Sequence, residues 1–541
     1  MNRKTLPPGE PGRYLGQVIG GSLTAGLAVK LDPSVSPEEV KAGVLVTVVG
    51  ESNRYVGVVT NIELHTADPS LPLLVSRDVP LLAQAARGNV AYAILTVRPS
   101  IALPLVAGPG TGAQPARSIP GHFAPVHLAT SADISAVFGE EDERHFWVGS
   151  PLDLDCKVCL DLPLFVMRSN GVFGKTGSGK SFLTRILLAG ILQSGTAGVL
   201  VFDMHNDYGW LAKSEEGPAV KGLKQLFPSK VALFTLDEAW TRRRGVAPDH
   251  VVRIPWEQVE PEDIALLQET LNLTHVQVET VYLLREHLGK RWLDEFCSLR
   301  SNAEAWKALR EQVAAGAGTL DALYRHLQTI RRYSFLTEGD GSSPSSVQAI
   351  LDTLARGMTV VLEFGRYRDD PTAYVLVANF LTRRIHERYV KQTEEAFTDR
   401  AQAPIPLVVV IEEAHKFLSP AVARLTTFGR IAREMRKFNV TLLIVDQRPS
   451  QIDPEVRSQL GTRLVCKLDD EQDMDALVER MQGGRELKAV LASMEEKQQA
   501  LIFGHAVPVP VLVRVRPYGP DFYSAIARTA TPSLQGEDLF G

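Results

Sequence analysis

Cysteine is scarce: four residues in a chain of 541, too few and too scattered for a disulfide framework. Only Cys156 and Cys159 lie close together, as the CxxC of LDLDCKVCLDL, and no second CxxC or histidine pair follows to complete a four-ligand zinc centre. The alternation around them reads as a strand, so reduced thiols and a cytoplasmic setting are expected. Apolar runs of about 18 residues are missing, which leaves no segment to cross a membrane as a helix. The opening stretch MNRKTLPPGEPGRY also lacks the apolar core of a secretory leader. Excess positive charge is absent, since 58 Lys and Arg face 63 Asp and Glu for a net charge of −5. That excludes a cationic coat for nucleic acid, and any polyanion site has to be local. Internal repeats and low-complexity tracts are lacking too.

What is present is globular: 45% of residues are hydrophobic and 22% charged, with room for two to four domains at about 150 residues each. From Tyr14 to about Val97, short apolar runs such as YLGQVIGG, GVLVTVVGE and AYAILTVRP are split by Gly, Pro, Asn and Asp. Strands of that length and spacing argue a small β-barrel or sandwich. The Gly- and Pro-rich segment from Ala107 to Pro125 reads as a linker. After Trp147 the pattern changes. AGVLVFDMH, MTVVLEFG, PLVVVIEEAH, VTLLIVDQ and TRLVCKL are near-continuously apolar, as in a parallel sheet with helices on both faces. Between about 256 and 356 the period becomes helical, so a helical insertion interrupts the α/β domain. The domains expected are a barrel with its linker over 1–148, an α/β domain over 149–529 and a tail over 530–541.

A strand ending at Phe173, then GKTGSGKS, then a helix is the context a phosphate-cradling loop requires. Its glycines let backbone N–H groups close around phosphates, Lys180 supplies a point charge and Ser181 suits Mg²⁺. LVVVIEEAHKF delivers Glu412 and Glu413 to the sheet edge where ligands bind in open α/β folds. Glu412 is placed near Mg²⁺, and Glu413 orients and deprotonates the attacking water. VTLLIVDQRPSQID ends in Asp446 and Gln447, and a glutamine there can sense the γ-phosphate. Upstream, Arg430, Arg433, Arg436 and Lys437 fall at helical spacings. They fit either a solvated basic face or an arginine finger toward a neighbouring subunit.

GKTGSGKS, FDMHNDY, VVVIEEAHKF and GRIAREMRKFNVTLLIVDQRPSQI, in that order, resemble the HerA branch of the FtsK/HerA superfamily of hexameric DNA-pumping ATPases. The segment entered through GRYLGQVIGG is similar to the HAS-barrel that precedes the ATPase in those proteins. The resemblance implies a RecA-like P-loop NTPase domain behind an N-terminal barrel and a homohexamer threaded by double-stranded DNA. It also implies ATP and Mg²⁺ as cofactors, and a NurA-like nuclease docked on the barrel side in end resection. On that basis Gly174, Lys175, Thr176, Gly177, Ser178, Gly179, Lys180, Ser181 and Phe182 form the nucleotide loop, Ser181 and Glu412 the metal side, Glu413 the catalytic carboxylate and Gln447 the sensor. Arg433 and Arg168 become candidates to reach nucleotide across a subunit boundary. Met435 replaces a glycine usual in the arginine motif, and Asp207 a glutamate usual before the tyrosine of FDMHNDY.

DNA contact is expected to be backbone-directed, because neither a zinc finger, a helix-turn-helix nor an aromatic stacking set is evident. Arg242 to Arg244, Arg331 with Arg332, and Arg383 with Arg384 are either pore contacts or solvated surface. A ring serving chiefly as the assembly hub of an antiphage defence complex is the other reading of such a chain. A pump working at a membrane is disfavoured by the lack of a spanning segment.

Overall fold

Alternating apolar residues in the first hundred positions make antiparallel strands that curl on themselves. In the computed structural model, which describes residues 11–67, 90–106, 112–214, 217–338, 345–399, 403–479, 481 and 483–530, they are β1 (Tyr14–Ser22), β2 (Gly26–Leu31), β3 (Leu45–Val49), β4 (Asn53–Thr66), β5 (Ala91–Pro104), β6 (Gln114–Pro115) and β7 (Pro125–Leu128). Their order is β2-β1-β7-β3-β4-β5-β6, and a further β2–β5 pairing closes the sheet into a barrel. Val29, Val46, Val48, Val59, Leu95 and Val126 fill it. Their strand neighbours Leu45, Val56 and Val58 face outward, yet are buried in a second core shared with the following domain. The expected linker falls partly outside the described residues, at 107–111, and so does the tail at 531–541.

The remaining strands are β8 (His145–Pro151), β9 (Val158–Asp161), β10 (Asn170–Phe173), β11 (Gly198–Asp203), the hairpin β12 (Leu211–Ser214) and β13 (Gly217–Lys221), β14 (Val231–Thr235), β15 (His250–Val251), β16 (Ile254–Pro255), β17 (Leu336–Thr337), β18 (Thr359–Glu363), β19 (Leu407–Glu412), β20 (Val440–Asp446), β21 (Thr462–Val465), β22 (Gln499–Gly504) and β23 (Val511–Val515). Twelve of them form one sheet, ordered β15-β14-β18-β11-β19-β20-β10-β21-β22-β23-β8-β9. It is parallel from β15 to β21 and antiparallel beyond.

Both faces of the parallel part are covered, which is why its strands read as unbroken apolar runs. On one face Val201, Val361, Val408, Val410 and Val445 pack on the helix Lys180–Ser194 and, beyond it, on the barrel's outer residues. On the other, Phe202, Leu362, Val409, Ile411 and Ile444 pack on the helix Pro371–Asp399 and the helices between β16 and β18. Those last include His275–Leu288, opened by a Thr274 capping box, and Ala317–Arg331. The fold is the expected α/β architecture with helices inserted before β18 and a barrel in front. Among the described residues no helix is long and apolar enough to cross a membrane.

Candidate nucleotide site

The parallel strands β10, β11, β18, β19 and β20 all end on one edge of the sheet, and the candidate residues sit just past those ends. The loop after β10 is tied down by backbone bonds from Gly174 N–H to Asp446 O (3.3 Å) and from Lys175 N–H to Lys467 O (2.8 Å). Gly177 and Gly179 adopt φ of +74° and +99°, where a side chain would be strained. A Cβ on Gly174 would lie 2.6 Å from Ser178 Oγ and 2.8 Å from Cys466 Cβ. The loop therefore wraps tightly. The helix that follows starts at Lys180 without a side-chain cap, so its first N–H groups are free to meet an anion. Lys180 Nζ donates to Lys175 O at 2.7 Å, and burial lowers its pKa despite nearby Glu413, Asp446 and Glu412. Lys175 points outward to Asp469 and Glu496, each at 3.0 Å.

At the end of β19 the two glutamates part company. Glu412 is buried, its Oε1 accepts from Tyr208 Oη at 2.9 Å, and its Oε2 has no hydrogen-bond partner among the described residues. Burial, with Asp203 beside it, pushes its pKa up to about 8. Glu413 takes φ +48°, a left-handed conformation rare for a glutamate, which swings its side chain away from that floor. Gln447 Nε2 donates to Glu413 Oε1 at 3.0 Å, and Thr176 Oγ1 donates to Gln447 Oε1 at 2.5 Å. One chain of side chains thus joins the phosphate loop, the β20 end and the β19 end. Asp446, below Gln447, accepts from the backbone N–H and Nδ1 of His415.

Beneath lies a row of carboxylates from adjacent strands. Asp203 and Glu363 are register partners on β11 and β18, and Glu412 follows on β19. Asp203 accepts from the N–H groups of Asp207, Tyr208 and Gly209, and so folds the turn that brings Tyr208 to Glu412. Burial pushes Asp203 up to about 6 and Glu363 up to about 8, with the Arg244 guanidinium 3.5 Å from Glu363 offsetting only part of the cost. Arg185, also buried, donates to Asp207 O and lies over the Phe182 ring at 5.1 Å.

Two predicted residues stand apart within the chain. Arg168 precedes β10, at the opposite edge of the sheet from Lys180, and its stem packs on Gly461. Arg433, on the helix Thr427–Glu434, donates to Ala423 O at 3.4 Å. Both keep a buried guanidinium nitrogen without a hydrogen-bond partner among the described residues. Three arginines expected at a pore or on solvated surface are internal braces instead. Arg244 stacks on Trp240 and donates to Leu211 O, Arg383 pairs with buried Asp263 at 2.7 Å, and Arg384 donates to Gln258 O over the Phe380 ring. A charge run in a sequence does not reveal which members find buried acceptors far along the chain. Tyr208 and His415 join the site through partners 204 and 31 residues away, a separation that sequence spacing does not reveal.

Ser181 and Glu412 are hard oxygen donors that suit Mg²⁺, and the unpartnered Oε2 of Glu412 fits a metal-bound water. Among the described residues no cluster of three or more metal-ligating side chains occurs.

The family model described as "Helicase HerA, central domain" matches residues 146–385. The chain is 26% identical to the DNA double-strand break repair helicase HerA of Pyrococcus furiosus, over 71% of this chain and 70% of that protein. It is also 26% identical to the protein of the same name from Sulfurisphaera tokodaii, over 93% and 92% of the two chains. A solved structure of the bacterial conjugative coupling protein TrwB superposes with a TM-score of 0.47 at 12% identity, over 72% of this chain and 92% of that one.

Proposed function

Since the chain belongs to the HerA-type P-loop ATPases of the FtsK/HerA superfamily, we propose that it hydrolyses ATP to drive movement along double-stranded DNA, as a translocase or helicase in double-strand break repair. The observation that carries this reading is the Thr176–Gln447–Glu413 chain beside Lys180: a phosphate loop, a glutamine and a carboxylate already linked at one sheet edge. The loop amides and Lys180 bind the phosphates, which requires Lys180 Nζ to leave the Lys175 carbonyl. Gln447 exchanges its bond from Thr176 for the γ-phosphate or the attacking water. Glu413 accepts that water's proton. Ser181 and Glu412 would hold Mg²⁺, which when bound would supply charge stabilisation to the phosphate oxygens.

The working form is a cytoplasmic homohexamer around duplex DNA. In it Arg433 and Arg168 are the candidates to serve a neighbouring subunit's nucleotide. A NurA-like nuclease docks on the barrel side and receives the DNA in end resection. ATP turnover measured with and without duplex DNA tests the reading. Stimulation by DNA in the wild type, and loss of turnover by at least about 100-fold in Lys180→Ala and Glu413→Gln, are expected. Turnover that survives Lys180→Ala would show that the site is misassigned.

A further inference from the structure

The loops after β19 and β20 carry Glu413 and Gln447, and a single buried carboxylate fastens both. Asp446 is 1% exposed. Its Oδ2 accepts from His415 backbone N–H at 2.8 Å and from His415 Nδ1 at 3.0 Å, while its Oδ1 accepts from Arg448 N–H at 2.7 Å. The first two bonds fix the imidazole's orientation and make Nδ1 a donor. The third sets the turn that follows Gln447. The same Nδ1 also faces Glu413, 3.8 Å from its Oε2, so the edge of the ring that bonds Asp446 is the edge turned to the second carboxylate. The other oxygen of Glu413 accepts a hydrogen bond from Gln447, so the carboxylate lies between that amide and the imidazole's Nδ1, the first in hydrogen-bond contact and the second in charge contact. A glutamate at φ +48° persists only where its surroundings over-determine it, and these contacts are the surroundings. The charged groups near the imidazole are Asp446 from β20, and Glu413 and Lys416 from its own turn.

Resting on the reading of Glu413 as the base for ATP hydrolysis, we propose that His415 is a positioning residue: braced on Asp446, its ring holds the Glu413 carboxylate in the place that Gln447 and Thr176 define. The hydrogen bond to Asp446 also raises the imidazole's pKa, which favours the cationic form between two carboxylates. His415 touches none of the phosphate loop's polar groups, so its loss leaves nucleotide binding intact and slows the step that follows.

The test compares full-length wild type with His415→Ala, His415→Asn and Asp446→Asn. DNA-stimulated ATP turnover gives kcat and KM, and a fluorescent non-hydrolysable ATP analogue gives affinity and checks the fold. His415→Ala and Asp446→Asn are each expected to lower kcat by about 10- to 100-fold, with KM and analogue affinity changed by less than about 3-fold. His415→Asn, whose amide nitrogen can occupy the Nδ1 position, is expected to recover most of the lost turnover. An active wild type with an equally active His415→Ala overturns the positioning role alone. So does His415→Ala that loses analogue affinity in step with kcat, as a merely structural residue would. A wild type that turns over no ATP overturns the reading of the site and the positioning role with it.

Discussion

Gln447 is where the two halves of the site meet, since one amide both donates to Glu413 and accepts from Thr176. Gln447→Ala is expected to reduce kcat by about 10- to 100-fold while leaving analogue affinity within about 3-fold, because the loop amides and Lys180 still bind the phosphates. Steady-state kinetics with a binding titration checks it. Glu363 makes a different prediction. Burial raises its folded pKa from 4.5 to about 8, so the folded state keeps a proton that the unfolded chain gives up well below neutrality. The stability linked to that proton is complete below about pH 4.5 and is lost as pH climbs through about 8. Asp203 and Glu412 act in the same sense. The wild-type melting temperature should therefore fall between about pH 4.5 and about pH 8, and Glu363→Gln should flatten that fall. Melting curves of the two proteins across the range decide it.

The elements are joined by a few buried polar contacts whose worth depends on pairing. Asp263, in the short helix Pro261–Ala265, is fully buried, and Arg383 reaches it from the long helix Pro371–Asp399. This pair couples the helical insertion to the α/β domain. Arg383→Met removes the cation and leaves an uncompensated carboxyl, at an expected cost of about 3 kcal/mol in denaturant unfolding. The mutation on the other side, Asp263→Leu, should cost less, because Arg383 is partly exposed and can turn toward water. Arg457 plays a comparable part at the site's rim. Its Nη1 donates to the carbonyls of Pro449, Ser450 and Ile452, which fixes the turn immediately after Gln447.

Across the whole molecule the barrel and the α/β domain share a core rather than a hinge. Leu45, Val56, Val58 and Ile101 of the barrel belong to the same buried cluster as Phe146, Leu187 and Val410. A pull on the barrel by a docked partner would therefore be felt at the face of the sheet that carries the phosphate-loop helix. If Arg433 acts on a neighbouring subunit's nucleotide, two inactive proteins should complement each other. Mixing Arg433→Ala with Lys180→Ala chains pairs an intact nucleotide loop with an intact arginine across some boundaries. ATP turnover of the mixture is expected to exceed the sum of the separate proteins. Turnover at or below that sum would place Arg433 outside the neighbour's site.

The parallel sheet, the phosphate loop and the barrel were legible because each rests on local order: β-branched runs buried on both faces, glycines at fixed spacing before Lys180, and short alternating strands cut by turns. The same local order located Glu413 and Gln447 at strand ends. What only the tertiary structure decided is which groups meet. Strand order places Asp203, Glu363 and Glu412 side by side although more than 200 positions separate the first from the last. It sets Tyr208 under one glutamate and His415 beside the other, and it turns Arg244, Arg383 and Arg384 inward. A side chain's partner is chosen by packing between distant segments, and local periodicity carries no record of that choice.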